Sequence, residues 1–479
     1  MGFYILWAIL AAILIFVLVL LINAVIVGKK KEKIEERPVW HSEEEQLRYA
    51  QRLKKMIECQ TVSSKDGFDS TEFMKLRAVM KELFPLIHEK GTVEYFSDDC
   101  WVYKVEGEDT SRNILVMSHH DVVAATGEWT HEKFGEIADG AIWGRGTVDT
   151  KGPLFAEFSA LEELLEEGFK PKCNVYIASG HNEEIFGDGI KTAVEHFLKE
   201  GIEFEVALDE GGGVIAPPLA GINCKCAMMA VHEKGYHTLK ASAKQGDSKV
   251  GALIEGPILR MSKFIAECNK AKLIRKMAPQ LEAMFKSLAP YMAFPMRIVF
   301  GNLWCFKGLL VKIIPMVSSQ AAAMLGTTMN FNNVEFIKGD SPRDNECRAS
   351  ALVRFIDEDD LRADMAEIRK IADKYGIEIE EPEEEHEYHR GADLSLPPYE
   401  YVRKCAREVF PHAAPAPFIL AAGTDARWMN EVCPCTIRFA PIDINDQQLG
   451  SVHSPDENMH LTAVSAAVKF YKTFIKNYK

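Results

Sequence analysis

Residues Asn113–Asp149 read NILVMSHHDVVAATGEWTHEKFGEIADGAIWGRGTVD, and the opening of this stretch decides the fold. The apolar run Ile114 to Met117 has the length and composition of a buried strand, and it stops abruptly at Ser118-His119-His120-Asp121. Residues of metal-ligand type therefore begin where a strand ends.

Three later segments repeat that grammar. Cys173-Asn174-Val175-Tyr176-Ile177-Ala178 runs into His181-Asn182-Glu183-Glu184, and Phe204-Glu205-Val206-Ala207-Leu208 runs into Asp209-Glu210 and three glycines. Thr436-Ile437-Arg438-Phe439-Ala440 precedes a loop carrying His453. In open α/β sheets ligands gather outside the carboxyl ends of strands, so distant segments of this kind converge on one site.

The chemistry of that site is metal chemistry. His119, Asp149, Glu184, Asp209 and His453 are nitrogen and oxygen donors without a thiolate, a set that suits catalytic Zn²⁺, with Co²⁺ or Mn²⁺ as substitutes. Three carboxylates leave two dications with one net positive charge, which a bridging hydroxide cancels. Asp121, two residues after His119, is placed to accept the second imidazole N–H and fix the tautomer. Glu183 is placed to take a proton from water at the metals. His120, His131, His181 and His232 fall off the pattern and read as polar loop residues.

At these residues the chain resembles the dizinc aminoacylases, dipeptidases and carboxypeptidases of peptidase family M20, closest to the carboxypeptidase S-like and N-acyl-amino-acid hydrolase subgroup. The matching pieces are HxD at His119–Asp121, GRGTVDTKG at Gly144–Gly152, the pair Glu183-Glu184, DEGG at Asp209–Gly212, GTDAR at Gly423–Arg427, and the His of SVHSPDE. They stand in the family's order and cover nearly all of the chain after residue 42.

The resemblance implies that Asp149 bridges two metals, that His119 and Asp209 complete one site, and that Glu184 and His453 complete the other. It implies Glu183 as general base, a cis peptide at Asp149-Thr150, and Arg427 as the grip on the substrate's free carboxylate, a task for a planar and always-charged fork. The implied reaction is hydrolysis of an amide in dipeptides, C-terminal peptide bonds or N-acyl amino acids.

One departure stands out. Where the family carries a lid histidine whose N–H holds the oxyanion, this chain reads Gly246-Asp247-Ser248, and an ionised Asp cannot donate. The lid's Asn-Val-Ile-Pro-like segment is likewise replaced by Ser341-Pro342-Arg343-Asp344. The alternatives are His232 or His237 as replacement donor, Arg343 serving a different substrate, or a weak or inactive membrane-tethered metal- or ligand-binding homologue.

Outward from the motifs, 479 residues exceed one compact core, and a net charge of −14 argues against a general nucleic-acid binder. Residues 3–27 hold no charge and can span a bilayer; a cleaved signal peptide fits less well, because no positive segment precedes the run. Lys29, Lys30, Lys31 and Lys33 follow it, so the positive-inside rule puts the catalytic domain in the cytoplasm. The 11 cysteines are scattered and odd in number, which reads as reduced core residues rather than a disulfide framework.

Ser42 caps a helix to about Ile57, Thr71 to about Glu89 gives a second, and Pro153–Glu167 a third. Helices alternating with apolar strands indicate an α/β fold, a mainly parallel sheet sandwiched by helices. At about His232 the texture turns to period-two alternation, and strands at Ala349–Ile356 and Ile377–Glu380 flank a charged helix at Glu358–Tyr375. The expected organisation is a transmembrane helix 3–27, a linker 28–41, a catalytic domain 42–231 resumed at 390–479, and an inserted α+β lid or dimerisation domain 232–389.

Within that insertion, 258–331 carries ten basic residues against Glu267 and Glu282, with interleaved aromatics. It reads either as a helical pair packed in the lid with solvated lysines, or as a face on anionic lipid beside the anchor that admits long acyl chains. The expected partners are thus a small peptide or N-acyl amino acid, a lipid bilayer, and a second copy through the lid.

Overall fold

A computed structural model describes residues 2–245, 255–317, 319–341, 344–380 and 386–479. Asp247, with its neighbours Gly246 and Ser248, and Arg343 lie outside the described residues.

Local signals set the helices. Ser42 and Glu45 form a reciprocal capping box that starts Glu43–Ile57, whose Tyr49, Leu53 and Met56 are buried along one face. The expected second helix is two, Ser70–Leu83 and Pro85–Lys90, because Pro85 cannot continue the first and opens the next. Lys151–Glu166 is buried nearly all round, as a helix sandwiched between a sheet and its neighbours must be.

Among the described residues the large sheet has nine strands. Its centre runs Cys173–Ser179, Asp109–Met117, Val206–Asp209 and Thr436–Arg438, all parallel. Thr92–Phe96 and Cys100–Val105 add antiparallel strands at one side, and Lys225–Glu233 with Ala413–Leu420 form a parallel pair at the other. Apolar side chains of this sheet and its helices make the main core. The fold is therefore the expected mixed α/β architecture with parallel central strands.

A second sheet is built from Gly235–Lys244, Thr328–Ile337, Glu346–Phe355, Glu378–Glu380 and His386–Glu387. Pro257–Cys268 and Glu358–Tyr375 pack on it around Phe264, Met365 and Ile368. The basic stretch divides here. Pro279–Leu288 and the helices after it pack instead on Ala414, Ala416 and Ile419 of the large sheet, so only the two ends of 258–331, Pro257–Cys268 and the start of Thr328–Ile337, belong with the small sheet.

Gly2–Lys29 is a single helix and, among the described residues, the one unbroken helix long and apolar enough to cross a membrane. Residues 30–41 are not a free linker. Glu32 pairs with Arg403 at 3.0 Å and Arg407 at 2.8 Å, Arg37 pairs with Asp443 at 2.7 Å, and Trp40 donates to Val409 O at 3.0 Å.

Candidate active site

Three adjacent parallel strands end on one edge, and each delivers a ligand-type side chain there. His119 follows Asp109–Met117, Glu183 and Glu184 lie in a short turn after Cys173–Ser179, and Glu210 follows Val206–Asp209. Asp149 comes from the loop after Ala141–Gly144, and its bond to Thr150 is cis. His453, in left-handed backbone with φ 59°, comes from the loop before Asn458–His460.

These side chains form two clusters that share Asp149. One is His119, Asp149 and Glu210; the other is Asp149, Glu184 and His453. Asp149 Oδ1 lies 2.9 Å from His119 Nε2, and its Oδ2 lies 3.0 Å from His453 Nε2. Glu184 Oε2 is 2.9 Å from His453 Nε2, and Glu210 Oε1 is 3.6 Å from His119 Nε2. One carboxylate thus faces two imidazoles with its two oxygens, the arrangement of a bridging ligand.

The structure brings Glu210, rather than the expected Asp209, to the His119–Asp149 cluster. Asp209 is the last residue of its strand and turns to the opposite face, where Oδ2 accepts from Ala426 N at 2.8 Å; Glu210, one position on, faces His119. A one-residue step in a strand reverses the side. The glycines that follow make the turn possible: Gly211 has φ +95°, and a Cβ on Gly212 would meet Met228 O at 2.2 Å and Arg438 O at 2.5 Å.

Asp121 does more than orient an imidazole. His119 Nδ1 is 2.9 Å from the Asp121 main-chain oxygen and 3.3 Å from its carboxylate, so the closer contact, to the main chain, places the proton on Nδ1 and turns Nε2 to Asp149. The Asp121 carboxylate meanwhile accepts from Glu183 N at 3.2 Å, Glu184 N at 3.1 Å and Ser63 Oγ at 2.6 Å. It fixes the turn that carries Glu183 and Glu184.

A second carboxylate holds the Asp149 loop. Glu457, fully buried, accepts from Gly146 N at 3.1 Å, Val148 N at 2.8 Å and Asp149 N at 3.1 Å, and pairs with buried Arg145. The terminal SVHSPDE segment is therefore clamped to GRGTVD, which brings His453 to Asp149.

The electrostatics suit cations. Burial among other carboxylates raises Glu210 and Glu183 well above the usual carboxylate range. Hydrogen bonds to Asp149 and Glu184 push His453 up to about 10. Burial alone would raise Asp149 and depress His119, but the imidazole–carboxylate contacts hold Asp149 low and His119 high. Glu184 Oε1 is buried and has no hydrogen-bond partner among the described residues. The all-nitrogen-and-oxygen donor set, the crowded carboxylates and this unfilled oxygen fit two divalent ions.

Glu183 Oε2 lies 3.9 Å from His119 Nε2, at the margin of the first cluster. Two residues past Glu184, Phe186 begins a pocket that it lines with Tyr236, Arg354, Glu387 and Arg427. Arg427 is buried; Nη1 donates to Thr424 O at 2.7 Å and Nε to Glu387 at 3.0 Å. The pocket opens into a cleft of ≈ 700 Å³. Tyr236, Arg354 and Glu387 come from the small sheet, which therefore supplies a wall that no sequence motif marked.

Of the off-pattern histidines, His120, His131 and His181 lie in loops, as expected, and His232 lies instead in the strand Lys225–Glu233; His120, His181 and His232 are buried and His131 is half-buried. His120 stacks on Trp101 at 4.0 Å with Nδ1 2.8 Å from Ser179 Oγ, and burial lowers it to about 4. His131 stacks on Trp143 at 3.8 Å, and His181 lies against Phe68 and Phe73. His232 Nε2 meets Ile356 O at 3.0 Å, which commits it to the joint between the two sheets; His237 is buried on Gly235–Lys244.

A mixed sheet with paired acidic and imidazole side chains at its carboxyl edge is the arrangement of a metal-dependent hydrolase. The model of Peptidase family M20/M25/M40 matches residues 115–477, and the chain belongs to that family. It is an enzyme of amide-bond hydrolysis. It is 27% identical over 486 residues to "Probable carboxypeptidase S-like 2" of Dictyostelium discoideum, covering 96% of this chain and 91% of that protein. It is 27% identical over 461 residues to "N-fatty-acyl-amino acid synthase/hydrolase PM20D1" of Xenopus tropicalis, covering 91% and 87%. Human carnosine dipeptidase 1 shares the fold with TM-score 0.62 at 12% identity, covering 90% of this chain and 96% of that one.

Proposed function

We propose that the chain is a membrane-anchored dizinc amidohydrolase acting on an amide whose amine side bears a free carboxylate, in dipeptides, C-terminal peptide bonds or N-acyl amino acids. One observation carries this reading: Glu183 stands at the margin of the Asp149-sharing clusters while Arg427 lies in the adjoining pocket. His119, Asp149 and Glu210 would hold one Zn²⁺, and Asp149, Glu184 and His453 the other. The chemistry that a bound Zn²⁺ pair supplies is polarisation of the scissile carbonyl and a water of lowered pKa.

The chain's own residues do the rest. Glu183, held by main-chain contact to Asp121, takes the proton of the attacking water and returns it to the leaving amine. Arg427 orients the substrate through its carboxylate, which replaces Glu387 on the guanidinium. Phe186 and Tyr236 flank the path. The name of the Xenopus relative supports N-acyl amino acids as the substrate class.

The apolar Gly2–Lys29 helix is the anchor in this reading, and the lysines after it favour a cytoplasmic catalytic domain. Thr328–Ile337, the edge strand of the small sheet, is where a second copy would pair. The test is amine release by the detergent-solubilised full chain, loaded with zinc, on dipeptides and N-acyl amino acids, with Glu183→Ala as matched control. Zinc-dependent release confined to the wild type is the expected result; equal release by both proteins contradicts the mechanism.

A further inference from the structure

We propose that the bent helix pair of the insertion, Phe294–Phe300 and Leu303–Val317, is itself a membrane element whose outer face lies among lipid acyl chains beside the N-terminal helix. The proposal rests on that helix crossing a bilayer, as proposed above.

The pair is bent by 99° at Gly301-Asn302 and is apolar enough in composition to enter a membrane. Its second helix is apolar on both sides. Leu303, Leu310 and Ile314 are buried in the cluster that includes Ala416 and Ile419 of the large sheet. On the other side Leu309, Ile313 and Met316 are 51%, 42% and 82% exposed, and Val317 is 73% exposed. Spacings of four and three residues put them in one stripe. A helix that is apolar all round belongs in a core or in a membrane, and one side here meets no core. Lys307 and Lys312 are exposed beside the stripe, long enough to carry their charge to headgroups.

The occupant follows from continuity with the N-terminal helix. Fully buried Asn302 donates to Leu20 O at 3.1 Å, and its Oδ1 accepts from Asn23 Nδ2 at 3.0 Å. Trp304 meets Phe16 edge-on with ring centroids 6.0 Å apart. Gly28 leaves the room that the Arg297 side chain fills. Asn23 lies six residues before Lys29, about 9 Å along the helix, and Phe16 about 20 Å, so the bend sits below the level of the lysines. A span needs about 20 apolar residues, which places Phe16 to Asn23 inside the hydrocarbon. The bend is joined to them by polar side chains satisfied internally, as lipid requires. The Glu32 and Arg37 ion pairs fix the height of the catalytic unit above this level.

The experiment reconstitutes the full chain in phosphatidylcholine–phosphatidylglycerol vesicles containing a phosphatidylcholine with a diazirine midway along one acyl chain. After irradiation, adducts are mapped by peptide mass spectrometry. The expected result is adducts both in the N-terminal helix and in 303–317. The triple variant L309E/I313E/M316E should lower the second set at least about tenfold and leave the first unchanged. Adducts on the N-terminal helix alone overturn the proposal while the anchor stands. If 303–317 is then also hidden from aqueous hydroxyl radicals, the face belongs to a protein partner. Adducts on neither segment overturn this proposal and the anchor together. The wild-type map decides the matter even if the variant fails to fold, and retained amine release by the variant certifies its fold.

Discussion

At the carboxyl edge of the large sheet, carboxylates crowd around Asp149; at the bend of the insertion, Leu309, Ile313, Met316 and Val317 stand outside the core. Both surfaces lack a partner in water. The first calls for cations, because buried carboxylates repel one another and lose hydration. The second lacks an apolar medium. The difference lies in how each is held. The ligand edge is braced by directional hydrogen bonds from main-chain N–H groups to the Asp121 and Glu457 carboxylates, whereas the bend is held by one asparagine clasp and non-directional packing. Chemistry that must place protons needs the former, and adhesion to a fluid needs only the latter.

Substitutions can break that contrast, and the largest effect is expected at Glu183, the proposed proton carrier. Glu183→Ala should lower kcat by about 10² to 10⁴ with metal content unchanged, measured by amine release and elemental analysis. Next is the brace: Glu457→Gln leaves Arg145 buried without its anion and should lower unfolding free energy by about 3–5 kcal/mol, read by urea unfolding with metals removed. L309E on the bend, outside any such network, serves as the comparison and should change that quantity little.

Within the pocket, Arg427→Ala should reduce kcat/KM by about 10- to 100-fold, since hydrogen bonds to a charged group contribute about 1.5–3 kcal/mol. An amide-capped substrate should be indifferent to it. The smallest effect is expected at Glu387, which occupies the Arg427 guanidinium proposed to bind the substrate. Glu387→Gln should lower KM for carboxylate-bearing substrates by about fivefold, the equivalent of one ordinary hydrogen bond of about 1 kcal/mol. A raised KM would mean that Glu387 presents Arg427 rather than competing for it.

The sheet and the ligand edge were legible in the sequence because both are written locally. Apolar runs ending in His119, Glu184 or Asp209-Glu210 announce a strand end and a donor together. Which of two adjacent acids faces the metals was not legible, since it depends on where the strand stops; Val206–Asp209 ends one residue later than the apolar run. Glu457 sat inside a recognised motif, yet its grip on Gly146, Val148 and Asp149 is a contact across some 310 residues. Glu387 and Arg354 carry no local signal at all, because register in the small sheet sets their approach to Arg427. The basic stretch was visible as composition, but which sheet each part packs on is decided by tertiary contacts.

The direct test of the account is the metal content of three full-length proteins after loading and dialysis: wild type, Glu210→Gln and Asp209→Asn. The clusters sharing Asp149 predict two divalent ions per chain in the wild type and in Asp209→Asn, and no more than one in Glu210→Gln. Two ions retained by Glu210→Gln with one lost from Asp209→Asn would contradict the assignment of the strand's exposed end as the metal face.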